Sequence, residues 1–147
     1  MSQFSIRKAV ITDYEAIFGL QKEFALFQKT PEKLHITLEQ MKEDKDFFHC
    51  LVAEMENNEI GGFITYFPAY YSWSGKAIYV DDLYVTEAYR KHGIGIQLLQ
   101  SVIEMAKETG CKKVRWQVSE WNQNAIDFYQ RLGAEVNTTE RNCDLIF

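Results

Sequence analysis

The 147-residue sequence has little that would divide or cross-link it. It holds two prolines, Pro31 and Pro68, and no Pro-rich linker, repeat or single-sign charge block. One domain over 1–147 is therefore expected, since ~150 residues suffice for one core. Three cysteines, Cys50, Cys111 and Cys143, are an odd number without CxxC spacing. That excludes a disulfide framework and fits a reduced, cytoplasmic setting. Cys50 and Cys111 adjoin apolar strand-like runs and read as buried, inert thiols. Three scattered histidines, with no HExxH and no cysteine–histidine pairing, offer no metal site. No apolar run approaches the ~20 residues of a membrane span, and the start MSQFSIRKAV lacks the apolar stretch of a secretory signal. Positive charge is in the minority, 16 Lys and Arg against 21 Asp and Glu, for a net −5. An acidic balance argues against a nucleic-acid binder and mildly favours a cationic small substrate.

What remains is an ordinary globular composition with one excess. Aromatics make up 14% of residues and several fall between Phe63 and Tyr84. Phe4–Arg7 alternates as a short strand. Thr12-Asp13-Tyr14-Glu15 reads as a capping box ahead of a helix running to about Lys29, with Ile17, Leu20, Phe24 and Phe27 on one face. A shorter helix begins at Thr37. Strands are expected at Phe47–Met55, Glu59–Phe67 and Lys76–Val85, with a turn at Asn57-Asn58. Ile96, Leu99, Ile103 and Ala106 mark a helix ending at Gly110. Val114, Trp116 and Val118 alternate as a strand. Asn122 caps a last helix stopped by Gly133, and short strands are expected at Ala134–Val136 and Asp144–Phe147. The order β-α-α-β-β-β-α-β-α-β predicts an α/β protein with a mixed sheet and helices on its faces.

The strand ending at Val85 leads within a few residues into Arg90-Lys91-His92-Gly93-Ile94-Gly95, and a helix follows at once. Glycines permit a tight turn and close approach of a ligand. The unpaired amides and dipole of the helix start favour an anion, and Arg90, Lys91 and His92 add charge. A pyrophosphate fits this arrangement; a plain strand–turn–helix junction is the bland alternative. Neither GxxxxGK[ST] nor a dinucleotide fingerprint matches, because Ile96-Gln97 and Leu98 stand where those motifs need other residues.

R-x-x-G-x-G between a long strand and a helix resembles the coenzyme A loop of the GNAT superfamily of N-acetyltransferases, and the order of elements is also theirs. Phe48–Glu54, Trp73-Ser74-Gly75-Lys76, Asp82–Val85 and Trp121-Asn122 through Phe128-Tyr129 are similar to the spermidine/spermine N-acetyltransferase family, with its diamine and thialysine acetylating relatives. The resemblance implies a GNAT fold, acetyl-CoA as co-substrate with no metal, a homodimer, and transfer of an acetyl group to a primary amine in a direct ternary complex. A free amine has a pKa of ~10.4 and arrives as an ammonium, so a base must take its proton before attack.

The same resemblance assigns roles. Asp81 holds the position of the base, where relatives usually carry Glu; the shorter aspartate acts through water. Asp82 matches a second acid suited to the ammonium. Adjacent on a strand, the two are expected on opposite faces, and an exposed acid pair is the alternative. Tyr129 matches the general acid toward the coenzyme sulfur; alternatively it packs as a core aromatic. Leu83, Tyr84 and Val85 pair with the coenzyme's amide arm like an added strand. Arg90, Lys91, His92, Gly93, Ile94, Gly95 and Ile96 hold its phosphates. Asn122 contacts the coenzyme besides capping its helix, and Arg115–Gln117 lies near it.

Glu23, Phe27 and Gln28 occupy the substrate wall, with Gln28 where polyamine-acetylating relatives carry an acid. Tyr71 likewise stands where those relatives can carry aspartate, which shifts the expectation from a long polyamine to a diamine or lysine-like amine. Tyr70, Tyr71 and Trp73 either cradle an ammonium by cation–π contact or pack at an interface. Two other functions stay open: a coenzyme-binding module without turnover, and an acetyltransferase of proteins or peptides.

Overall fold

The computed structural model describes residues 3–147. By contact the chain falls into two compact units, one ending at Trp116 and one running Gln117–Phe147. The first holds a five-stranded sheet in the order β1-β2-β3-β4-β5. Its elements are β1 (Phe4–Lys8), α1 (Tyr14–Phe27), α2 (Leu38–Glu43), β2 (His49–Met55), β3 (Ile60–Tyr71), β4 (Gly75–Val85), α3 (Ile94–Glu108) and β5 (Lys113–Arg115). The first four strands are antiparallel neighbours, and β5 runs parallel to β4 over Ala77–Tyr79 alone. This is the mixed sheet flanked by helices that the pattern predicts.

Alternation sorts the strand residues between two layers. Cys50, Val52, Phe63 and Tyr84 join Tyr14, Ile17 and Leu20 of α1 and Met41 of α2 in one core. Ile64 is fully buried and Leu51 nearly so on the opposite parity, and α3 buries Ile94, Leu98, Leu99, Val102 and Ala106. Fully buried side chains such as Phe63 and Leu98 each gain about 1.5–3 kcal/mol over exposure. The buried stripe of α3 is turned from the expected one, because Ile96 and Ile103 remain partly exposed while Ile94 and Val102 go inside. Gly62 sets how closely α3 approaches: a Cβ there would lie 2.9 Å from the Tyr84 carbonyl oxygen and 3.3 Å from Ile94 Cγ2.

Helix ends are partly as the sequence indicates. Thr37 caps α2 by accepting from the Gln40 amide at 3.1 Å. The capping box at Thr12–Glu15 does not form. Asp13 precedes α1 instead, and its buried carboxylate accepts from the Val10 amide at 2.7 Å and from Arg7 Nη1 and Nη2 at 2.7 and 2.9 Å. Glu54 on β2 takes the other edge of the same guanidinium. An ion pair with β1 and a bond to the Val10 amide thus stand in place of the expected box.

β3 and β4 contain the irregularity that matters most. Tyr66 pairs with Val80 and Thr65 with Asp82, so Asp81 is an extra residue, a β-bulge. Cross-strand partners share a face. The bulge therefore moves Asp82 and Tyr84 onto the α1 side with Thr65 and Phe63, while Val80 stays on the other. Simple alternation, which keeps 80, 82 and 84 together, is corrected here.

The second unit contains α4 (Gln123–Arg131), capped as expected by Asn122, whose Oδ1 accepts from the Ala125 amide at 3.2 Å. Gly133 follows with φ 97°. The strands expected at Ala134–Val136 and Asp144–Phe147 are absent, and the strand through Trp116 and Val118 shortens to Lys113–Arg115. Alternating side chains make a strand only where a ladder partner exists, and these segments pair with none of the described strands.

Candidate active site

The end of β4 and the start of α3 form the centre of the candidate site. Thr86 donates its amide to the carbonyl of Gly61 in β3 at 3.0 Å. Backbone direction alternates along an antiparallel strand, so the amide and carbonyl groups of Val85 and Leu83 point to the opposite edge. Beyond Tyr79, β5 no longer pairs with that edge. Among the described residues no strand pairs with Leu83 or Val85 on that side, and they present an open half-ladder. Tyr84, between them, turns its own backbone toward β3.

The loop then reaches α3. Lys91 has φ 68° and Gly93 φ 79°, two left-handed turns in three residues; the second needs glycine for ease, and the first strains a lysine. Gln97 donates to the Gly93 carbonyl as the first rung of α3. The amides of Ile94, Gly95 and Ile96 therefore have no partner within the helix, and Gly93 has no side chain to cap them. Lys91 and His92 are exposed beside these donors.

Arg90 is held from inside the protein through two of its nitrogens. Its Nε donates to the Val85 carbonyl at 2.9 Å and its Nη2 to the Tyr84 hydroxyl at 3.2 Å. Its guanidinium lies 4.9 Å from the Phe27 ring centre and 5.5 Å from that of Tyr84. Glu23 on α1 completes the group. Its Oε1 accepts from the Tyr84 hydroxyl at 2.9 Å and the Thr86 hydroxyl at 2.5 Å. Burial, then the Glu23 hydrogen bond, raises the Tyr84 phenol above its ordinary value.

Asp81 and Asp82 sit at the bulge. Asp82 donates its amide to the Thr65 hydroxyl at 3.0 Å. Asp81 is exposed and Asp82 half-buried, but surrounding protein displaces water from both. Burial raises the Asp81 carboxyl; burial and then the charge of Asp81 push Asp82 up to about 6. Two carboxyls that feel each other can hold an ammonium or accept its proton.

The remaining candidates scatter. Phe27 is exposed apart from its contacts with Arg90 and the Tyr84 ring, and Gln28 ends α1 in solvent. Trp73 is fully exposed at the hairpin tip. The Tyr71 ring already meets Lys113 Nζ at 4.2 Å and the Arg115 guanidinium at 4.5 Å. A ring so occupied by the chain's own cations is a poor cradle for a substrate ammonium. In the second unit Tyr129 is half-buried, packs edge-on to Phe128 at 5.7 Å, and has its phenol raised by burial. Gln117 donates to Asn142 Oδ1 there at 2.8 Å.

Thr65 and Thr86 were not singled out in the sequence. Thr65 carried a signal, a hydroxyl inside the apolar run Phe63–Tyr66; Thr86 carried none. No group of acids, cysteines and histidines among the described residues is arranged to hold a metal ion.

Comparison with known proteins is consistent with this geometry. The model of the Acetyltransferase (GNAT) family matches residues 13–134. A thialysine N-epsilon-acetyltransferase of Sus scrofa is 34% identical over 145 residues, covering 91% of this chain and 85% of that protein. An L-ornithine N5-acetyltransferase of Arabidopsis thaliana is 38% identical over 104 residues, 70% of this chain and 46% of its own. Among solved structures, an aminoglycoside acetyltransferase from a soil metagenome superposes with TM-score 0.79 at 22% identity, covering 97% of each chain. An aminoglycoside N-acetyltransferase in complex with CoA gives TM-score 0.73 at 24% identity, over 100% of this chain and 96% of that one.

Proposed function

The chain belongs to the acetyltransferase (GNAT) family and is an acetyl-CoA-dependent N-acetyltransferase; from that premise we propose that it acetylates a small amine, a diamine or a lysine-like molecule, by direct transfer in a ternary complex. The observation that carries this reading is the bulge at Asp81, which sets two adjacent carboxyls on the strand that runs on to the open edge at Leu83 and Val85.

The chain's own groups fit acetyl-CoA. An open strand edge suits an amide-bearing arm, and uncapped amides at the start of α3, with Lys91 and His92 beside them, suit a pyrophosphate. When bound, acetyl-CoA supplies the acetyl group as a thioester. Asp82 holds the substrate ammonium, and Asp81 accepts its proton through water, freeing the nitrogen lone pair. An amide of the open edge donates to the carbonyl oxygen. Tyr129, protonated at neutral pH, is the acid for the departing thiol, and Asn122 contacts the coenzyme.

A short amine is favoured over a long polycation. Glu23, the acid of the α1 wall, already accepts from two hydroxyls, and Arg90 brings positive charge against Phe27. Relatives named for thialysine and ornithine acetylation support the same size class. We also read 1–147 as one catalytic domain working as a cytoplasmic homodimer, without nucleic-acid or membrane partners. No helix of the described residues is long and apolar enough to cross a membrane.

The test is thiol release from acetyl-CoA over diamines, polyamines, thialysine, ornithine, lysine and a lysine peptide. Turnover is expected with short amines and amino acids carrying a side-chain amine. Release only with the peptide overturns the small-amine reading, and coenzyme binding with no turnover makes the protein a binding module.

A further inference from the structure

Glu23 belongs to α1 and reaches across to Tyr84 of β4 and to Thr86 just beyond it. Its Oε1 accepts two hydroxyl protons, from Tyr84 and Thr86. Because the Tyr84 proton points to Glu23, the lone pairs of its oxygen face the other way, where Arg90 Nη2 donates. The same guanidinium donates through Nε to the Val85 carbonyl, and its plane rests near Phe27. The chain of donors is directional: Arg90 to Tyr84, Tyr84 to Glu23. Reversing one member would leave a donor facing a donor.

We propose that Glu23 is a positioning residue for the coenzyme edge: through the Tyr84 and Thr86 hydroxyls it holds the Arg90 guanidinium on the Val85 carbonyl, fixing the last rung of the open half-ladder and the path of the chain into α3. The proposal rests on reading that edge and the α3 start as the coenzyme site. Two physical consequences support it. With its carbonyl covered by Arg90, Val85 offers an incoming arm its amide donor, which gives the edge a polarity. With Nε and Nη2 engaged inside the protein, Arg90 shapes the loop, and phosphate contact falls to the α3 amides and Lys91. Lysine at 90 could not make both bonds from one ammonium with this planar spacing.

The experiment compares wild type, Tyr84→Phe, Thr86→Val and Glu23→Gln by calorimetry with acetyl-CoA, by KM for acetyl-CoA and amine, and by melting temperature. Tyr84→Phe keeps the ring stacked on Phe24, at 4.9 Å between centres, while removing the hydroxyl. Its acetyl-CoA Kd is expected to rise about fivefold to twentyfold, and those of Thr86→Val and Glu23→Gln severalfold. The loss should fall on Kd and acetyl-CoA KM rather than on amine KM. Unchanged Kd in folded variants overturns the proposal, as does a rise in amine KM alone, which would put Glu23 against the substrate. If Tyr84→Phe does not fold, the other two variants decide. A wild type that binds acetyl-CoA but acetylates no amine defeats the proposed function while the Kd ratios still decide this point. A wild type that binds no acetyl-CoA overturns both.

Discussion

The Asp82 amide donates to the side-chain hydroxyl of Thr65, 3.0 Å away, at the place where a carbonyl of β3 would ordinarily receive it. That single bond marks where the β3–β4 ladder changes phase. It lets Asp81 stand outside the pairing and turns Asp82 toward α1, beside the aromatic wall that Phe24, Phe27 and Tyr84 build.

Asp82 stabilises the fold least where it is charged. Its carboxyl, pushed up to about 6 by burial and by Asp81, lies above its unfolded value of ~3.9. The folded state therefore binds the proton more tightly, and the cost is fully present above pH ~6 and gone below pH ~4. Asp82→Asn should melt higher than wild type at pH 8, by about 1–2 kcal/mol after allowing for partial exposure, with the gain fading toward pH 4. The same variant should raise the amine KM about tenfold. Thermal melts at pH 4 and 8 and steady-state kinetics check both halves; a variant no more stable at pH 8 would refute the burial argument.

Asp13 works in the opposite direction. The Arg7 hydrogen bonds hold its carboxyl below the usual range despite burial. Its contribution is complete above pH ~4 and lost as pH falls through the lowered value. Asp13→Asn should cost about 2–3 kcal/mol at pH 7, since it leaves the Arg7 fork short of one partner. Urea unfolding at pH 7 and pH 3 should show that difference shrinking in acid.

Tyr129→Phe removes one oxygen from a half-buried ring. If that hydroxyl supplies the leaving thiol's proton, kcat falls about 10²-fold while both KM values hold within about twofold. Stopped assays at saturating amine and acetyl-CoA measure it. Undiminished kcat would reduce Tyr129 to packing.

The cysteines offer a check on direct transfer. Cys143 is exposed, Cys111 partly so, and Cys50 is buried with its thiol pushed up to about 12. Iodoacetamide at pH 8 should alkylate Cys143 first, spare Cys50 and leave turnover intact, as mass spectrometry and the thiol-release assay would show. Inactivation in step with one cysteine would instead point to an acetyl-cysteine intermediate.

Much of the frame was legible because its signals are local. Thr37 and Asn122 read as caps and are caps, and Gly93 stands at the turn before α3 where the pattern put it. The bulge was only half legible: the adjacent acids Asp81-Asp82 interrupt the apolar alternation of the strand, but only the pairing with Thr65 and Tyr66 shows that Asp81 is the extra residue. α3 carries apolar residues over so broad an arc that period alone does not pick out the buried stripe of Ile94, Leu98, Leu99, Val102 and Ala106. The charge of Arg90 beside the loop is legible in the sequence, whereas its acceptors, Tyr84 and Val85, come from tertiary packing. Ala134-Glu135-Val136 alternates and Leu145-Ile146-Phe147 is an apolar run, yet neither forms a strand, since a sequence pattern cannot supply a neighbour.

The open edge of β4 has a consequence for handling the protein. A strand edge able to receive an extended ligand is equally able to receive another polypeptide, and such edges seed aggregation. Leu83 and Val85 are apolar, so side chains alone do little to discourage it. The Arg90 guanidinium covers one carbonyl of that edge, which removes one acceptor an intruding strand would use. Occupancy by coenzyme would cover more of it, so the protein should keep longest in solution when stored with CoA, and turbidity should grow first in preparations stripped of it.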